Sequence, residues 1–184
     1  MRKFSRRTIG FALAVPLLLW TALGARAEPP GGGEPVTLAA APAGAIALGA
    51  EATRVLLAPR SAAEPFSRQL QAVGANRRLF LVLSGLQVSA QPGVVYEIYL
   101  GLPPGPVPGP GDPHYVGTLN FFGVTPLSSA QQLQRSYDVT ATLTALAAGG
   151  VEGDRLAVTI VPASGSPRSG VAPPTIGRVA LVAG

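Results

Sequence analysis

The chain has 184 residues and a formal net charge of +5, a length that suits one domain behind an export segment. Five of its 14 basic residues precede residue 28, so nine basic residues remain against nine acidic ones that all lie at or beyond Glu28. The remainder is formally neutral and lacks the basic stripe that phosphate contacts require, which argues against nucleic acid as a partner.

Residues 1–27 have the pattern of an export signal. Paired arginines in "SRRTIGF" stand directly before an apolar stretch, residues 9–23, that is short for a membrane span. Residues 25–27 read Ala-Arg-Ala, a small-x-small cleavage site. The arginine pair favours twin-arginine export, with an ordinary Sec signal as the alternative. We expect a bacterial protein that is exported to the periplasm or the exterior and keeps no membrane anchor after cleavage.

Residues 28–35, "EPPGGGEP", predict a flexible linker because Pro, Gly and Glu bury no apolar area. The domain is expected to span residues 36–184. Its short apolar runs, separated by turn residues, are typical of an all-β fold, and we predict an antiparallel β-sandwich of the jelly-roll kind. The predicted strands cover residues 45–48, 53–58, 78–88, 94–101, 115–123, 135–139, 155–162 and 175–182.

Alternation is clearest in the strand over residues 94–101. It places Glu97 and Tyr99 on one face and Tyr96, Ile98 and Leu100 on the other.

A charge in so apolar a strand is costly when it is buried alone. Either the face of Glu97 is solvated, or an arginine on a neighbouring strand pairs with it. We favour the pair, with Arg78, Arg155 or Arg178 as candidates.

The segment "GLPPGPVPGPGDP", residues 101–113, contains ten Gly or Pro residues among its thirteen. Prolines lack the N–H that a β-ladder needs, so we predict an exposed, semi-extended loop. Loops this long without secondary structure are often functional, and plain disorder is the alternative.

Strict alternation in residues 115–123 places Tyr115, Gly117, Leu119 and Phe121 on one face. We expect Phe121 to lie in the core.

One short helix is predicted within "YDVTATLTALAAGG". Asp138 or Thr140 can cap its start, Leu143 and Leu146 have helical spacing, and the glycine pair ends it. We expect this helix to cross between the two sheets or to cover an open end.

His114 is the only histidine, and the chain contains no cysteine. Metal sites usually take three or four ligands, which one imidazole beside Asp112 does not supply. A serine triad would have to use His114, yet "LSGLQ" is not a nucleophile elbow. A hydrolase that uses His114 is therefore the least supported hypothesis, behind the two binding or structural roles given below. We expect no catalytic residue, metal site or cofactor.

Five segments carry a family resemblance: "VYEIYLGLP", "HYVGTLNFFG", "YDVTATLTAL", "DRLAVTIVP" and "PTIGRVALV". Their order and spacing resemble the C-terminal β-sandwich that follows the copper domain in plant polyphenol oxidases and bacterial tyrosinase-like proteins. Residues 95–98 resemble that family's Lys-Phe-Asp-Val motif with the lysine lost. The resemblance implies structural motif roles for Tyr96, Glu97, Ile98, Gly117 and Phe121.

The resemblance also implies a lid, since this domain covers the dicopper site in that family and is not itself catalytic. The leading hypothesis is a secreted, non-catalytic accessory or shielding subunit that binds a tyrosinase-like copper protein in trans. The expected contact residues are Leu102, Pro103, Pro104, His114 and Tyr115. The alternative is a generic envelope or extracellular structural domain with no oxidase partner.

Overall fold

A computed structural model describes the part of the chain that carries the strands. The described residues are 34–61, 65–73, 77–124, 133–148, 155–163, 165 and 167–184. The predicted export signal and residues 28–33 of the predicted linker lie outside them.

The described strands pair antiparallel throughout, which confirms the predicted all-β class. Their order is β6-β5-β8-β3-β1-β9-β4-β7, and β2 pairs with β9. The strands are β1 (Val36–Ala40), β2 (Ile46–Ala47), β3 (Thr53–Pro59), β4 (Leu79–Gln87), β5 (Tyr96–Leu100), β6 (Tyr115–Leu119), β7 (Gln134–Asp138), β8 (Leu156–Pro162) and β9 (Thr175–Ala183).

Strand β1 joins two halves of this sheet. It pairs with β3 on one side and with β9 on the other, and its register shifts between Thr37 and Ala39. The first half contains β3, β8, β5 and β6, and the second contains β9, β4 and β7. The inner faces of both halves contribute to one apolar core, as a two-layer fold requires. Its fully buried side chains include Tyr96, Phe121, Leu57, Leu81, Leu83, Ile98 and Leu119.

The predicted helix is present as α2 (Thr140–Ala148). The Thr140 amide donates to Asp138 Oδ1 at 3.0 Å, so Asp138 is the capping side chain. Thr140 Oγ1 accepts from the Leu79 amide at 2.9 Å, which ties the helix to the start of β4. Because α2 leads from β7 to β8, it connects the two halves of the sheet, as one of the two predicted arrangements requires.

A second short helix, α1 (Phe66–Ala72), was not predicted. Its first residue, Phe66, is fully buried in the core. Neither described helix has the length and hydropathy of a membrane span.

A bulge in β6 changes the face of one predicted residue. Ile98 pairs with Gly117 and Tyr99 with Tyr115, so Val116 is the extra residue between them. Val116 packs on the main core, whereas Tyr115 packs with Tyr99 on the outer face. The prediction that Tyr115 shares a face with Leu119 is therefore wrong, because the bulge interrupts the alternation.

The two end strands of the sheet, β6 and β7, meet at a seam. Tyr137 Oη donates to the Thr118 carbonyl at 2.9 Å. Beneath the ring lies Gly117, with a φ of 154°. A Cβ at this position would lie 3.3 Å from Tyr137 Cδ1, so only glycine fits without displacement. The seam brings the sheet close to a closed barrel.

Candidate functional site

The Gly/Pro-rich loop, residues 101–113, packs against the outer face of β5. Tyr99, Leu102 and Val161 form a small buried cluster there, flanked by the half-buried side chains of Val107 and Tyr115. We call these five residues the outer cluster. Tyr99 and Tyr115 contact edge to face with ring centroids 5.6 Å apart. The loop is therefore a covering layer on the sheet.

Backbone contacts hold the loop at its start and in its middle. The Gly101 amide donates to the Ala157 carbonyl at 2.7 Å, and Arg54 Nη1 donates to the Leu102 carbonyl at 2.6 Å. Tyr99 Oη lies 2.7 Å from the Pro108 carbonyl oxygen. The Gly101 amide and the Leu102 carbonyl are thereby paired, and the Pro108 carbonyl shares the Tyr99 phenol with Glu97.

His114 fixes the far end of the loop to β5. Its Nδ1 lies 2.8 Å from the Leu100 carbonyl, which can only accept, so Nδ1 carries the proton and donates. Its amide donates to Asp112 Oδ1 at 2.8 Å, and its carbonyl accepts from the Leu100 amide at 2.8 Å. His114 thus has a structural role at the entrance to β6.

An open groove runs beside the loop, with a volume of about 460 Å³. One wall is the loop segment 107–110, and the other is the end of β8 with Ala163; Ala50 and Ala52 also line it. Among the described residues that line it, Glu97 is the one with an ionisable side chain. The groove is thus largely apolar with a single carboxylate.

The carboxylate of Glu97 is held by its own strand. Tyr99 Oη lies 2.7 Å from Glu97 Oε2. Burial raises the pKa of the Tyr99 phenol, and the hydrogen bond and charge of Glu97 raise it further. Tyr99 therefore remains a neutral donor at physiological pH.

The ion pair predicted for Glu97 is not found among the described residues. Arg78 instead lies 3.5 Å from Asp138. Arg78 and Arg178 belong to the other half of the sheet, and Arg155 precedes the opposite end of β8. Among the described residues none of the three pairs with Glu97, whose hydrogen bond comes from Tyr99.

The five predicted contact residues lie in one region but differ in exposure. Leu102 is buried in the outer cluster, and His114 and Tyr115 are half-buried. Pro103 and Pro104 are exposed. Of this set, the two prolines are therefore the side chains most available to a partner, and Leu102 supports them from below.

The motif residues other than Glu97 are structural. Tyr96 contacts Phe121 edge to face with centroids 6.1 Å apart, and its hydroxyl donates to the Leu48 carbonyl at 3.2 Å. Ile98 is fully buried, and Gly117 forms the seam described above.

The sequence indicated a functional or disordered loop over residues 101–113, which carries Val107 and Pro108, but it did not identify the groove or its β8 residue Val161. One signal was present in "LAVTIVP", the sequence of β8, whose first six residues are all buried. A run that is apolar except for Thr159 indicates a strand covered on both faces, and at Val161 the second cover is the loop.

The family described as "Domain of unknown function (DUF7868)" matches residues 35–184. The chain belongs to this family. No curated protein matches the DUF7868 chain.

Among solved structures, the DUF7868 chain is similar to a recombinantly expressed latent aurone synthase, a polyphenol oxidase. That similarity has 14% identity, covers 74% of this chain and 25% of the other, and gives a TM-score of 0.46. For latent aurone synthase from its natural source, the identity is 15%, the match covers 83% of this chain and 26% of the other, and the TM-score is 0.45. For latent apple tyrosinase, the identity is 18%, the match covers 76% of this chain and 27% of the other, and the TM-score is 0.48. The chain spans about a quarter of the length of these proteins.

Proposed function

We propose that the DUF7868 chain is an exported, non-catalytic accessory domain that binds a tyrosinase-like copper oxidase in trans. The Gly/Pro-rich loop is the proposed contact surface. The observation that carries this proposal is that the loop is fixed from below while Pro103, Pro104, Gly105 and Pro106 are exposed. A surface of this kind is available for contact without first having to be ordered.

Physical chemistry favours such a surface for recognition. Proline-rich segments lose little conformational entropy on binding, and aromatic-lined grooves in other proteins use this property. Anchoring by Leu102 and Tyr99 restricts the loop further, which lowers the cost of association.

The class of partner rests on the order of the motif segments, which resembles the lid domain of polyphenol oxidases. The side chains of the described residues also favour contact over chemistry. They contain no group of three or more His, Cys, Asp or Glu placed to hold a metal ion. His114, the strongest candidate for chemistry, is engaged in holding the loop.

The experiment combines the full chain with a purified tyrosinase-like copper oxidase from the same organism. We expect saturable complex formation and slower oxidation of a phenolic substrate, because the domain would shield the entrance to the copper site. The double variant Pro103→Ser/Pro104→Ser should weaken both effects, whereas Pro173→Ser, at another exposed proline, should not. Absence of a complex at every salt concentration would overturn the proposal and favour a structural envelope domain.

A further inference from the structure

The groove beside the loop has a shortage of hydrogen-bond donors. Tyr99 Oη lies 2.7 Å from both Glu97 Oε2 and the Pro108 carbonyl oxygen. A phenol has one proton, so it can make a full hydrogen bond to only one of these two acceptors at a time. Among the described residues, Tyr99 is the one side chain that donates to the Glu97 carboxylate. One acceptor is therefore always undersupplied.

The charge of the groove is also uncompensated. Glu97 is partly buried, and the other described lining residues are apolar or glycine. Salt bridges within the described residues do not include Glu97. A partly desolvated carboxylate next to apolar walls favours a cation from outside.

The shape of the groove selects among cations. A divalent metal ion needs several oxygen ligands, and one carboxylate with one carbonyl is too few. The apolar walls, formed by Val107, Pro108, Val161 and Pro162, fit the methylene stem of a long basic side chain. A guanidinium offers five N–H donors in a planar fork, enough for both the carboxylate and the carbonyl, whereas an ammonium is a point charge.

We propose that this groove receives an arginine side chain from an extended segment of the partner protein, with Glu97 and the Pro108 carbonyl as its acceptors. The inference rests on the proposed function and names the chemistry of the partner's contact. The volume of about 460 Å³ leaves space for residues on either side of the arginine.

The test uses two short acetylated, amidated peptides, Gly-Ala-Arg-Ala-Gly and its citrulline twin, titrated into the full chain and followed by amide NMR. Citrulline keeps the shape of arginine and removes its charge. The arginine peptide should shift the amides of Val107, Gly109 and Ala163 and bind at least about tenfold more tightly than the citrulline peptide.

Glu97→Gln should remove most of this preference, because it keeps the shape of the side chain without its charge. Glu34→Gln is the matched control, since Glu34 is exposed and does not line the groove. Equal affinity for both peptides, no saturable shift at millimolar peptide, or an unchanged Glu97→Gln variant would overturn the inference. Free arginine amide binding as tightly as the peptide would also overturn it, by assigning a small molecule in place of a protein segment.

The two proposals can fail separately. If the oxidase complex forms equally well with Glu97→Gln, the groove is not the contact, and the proposed function stands. If the arginine peptide binds but the oxidase does not, the groove is a site for a different protein, and the proposed function is wrong.

Discussion

Two adjacent phenylalanines after β6 show how strongly position determines the role of a residue. Phe121 is 1% exposed and contacts the ring of Tyr96, whereas Phe122 is 73% exposed. Gln91 Nε2 donates to the Phe121 carbonyl at 3.0 Å, which fixes the backbone at this point. The pair offers a matched comparison within one short segment.

Replacing Phe121 with alanine should lower the free energy of unfolding by about 3–5 kcal/mol, because it leaves a cavity in the core. Phe122→Ala should change it by less than about 0.5 kcal/mol, since the side chain is largely in solvent. Urea denaturation of both variants measures the difference. Similar costs for the two variants would contradict the assigned faces.

Sequence alone was sufficient for the faces of β5 but not for the contacts of Glu97. Alternation correctly placed Tyr96 and Ile98 on one face and Tyr99 on the other, and the structure shows that the first face lies in the main core. The predicted partner of Glu97 is wrong because the prediction considered only opposite charges on neighbouring strands. The actual donor is a phenol two residues along the same strand, at 2.7 Å.

At the scale of elements, the capped start of α2 gives a prediction about pH. The pKa of Asp138 is lowered below its ordinary value of 3.8. The main cause is the hydrogen bond from the Thr140 hydroxyl, followed by the one from the Thr140 amide, and the charge of Arg78 adds to the effect. A lowered folded-state pKa stabilises the fold above the unfolded-state value, and this contribution is lost as pH falls through the folded-state value.

Asp138→Ala should therefore cost about 0.5–2 kcal/mol near neutral pH, the usual range for a lost cap. The cost should shrink below pH 3.8. Urea unfolding across this pH range measures it, with Arg78→Ala as the control. The Arg78 side chain is 75% exposed, so its ion pair should contribute about 0–1 kcal/mol. An Asp138→Ala cost that stays constant with pH would contradict the capping account.

The seam between β6 and β7 gives a second prediction at this scale. Gly117→Ala should lower the free energy of unfolding by about 1–3 kcal/mol, because a side chain strains the backbone at a φ of 154° and crowds Tyr137. Gly111→Ala is the control, since its Cβ would meet nothing within 4 Å. Thermal unfolding compares the two, and equal effects would contradict a close seam.

Two elements were missed for physical reasons. Strand β1, "VTLAA", ends in two alanines, which have little intrinsic β-preference. Its conformation comes from pairing with β3 and β9. Helix α1 has seven residues, fewer than a reliable helical period needs, and Phe66 anchors it through tertiary contact.

At the scale of the whole molecule, the loop over residues 101–113 adds a partial third layer to a two-layer fold. Its composition left function and disorder equally open, because glycine and proline indicate only that the segment is not a strand. Two contacts hold the loop on the sheet: Arg54 with the Leu102 carbonyl, 48 positions away in the chain, and Tyr99 with the Pro108 carbonyl, nine positions away. The Arg54 contact depends on the pairing of β3 with β8 and of β8 with β5, which local sequence does not specify.

The central claim is that this anchored loop is a surface prepared for a protein partner. Hydrogen–deuterium exchange of the full chain, with and without saturating copper oxidase, tests it most directly. We expect added protection at the amides of Leu102, Gly105, Val107 and Gly109, with little change at the β6–β7 seam. Unchanged exchange in the loop, or protection confined to another face, would contradict it.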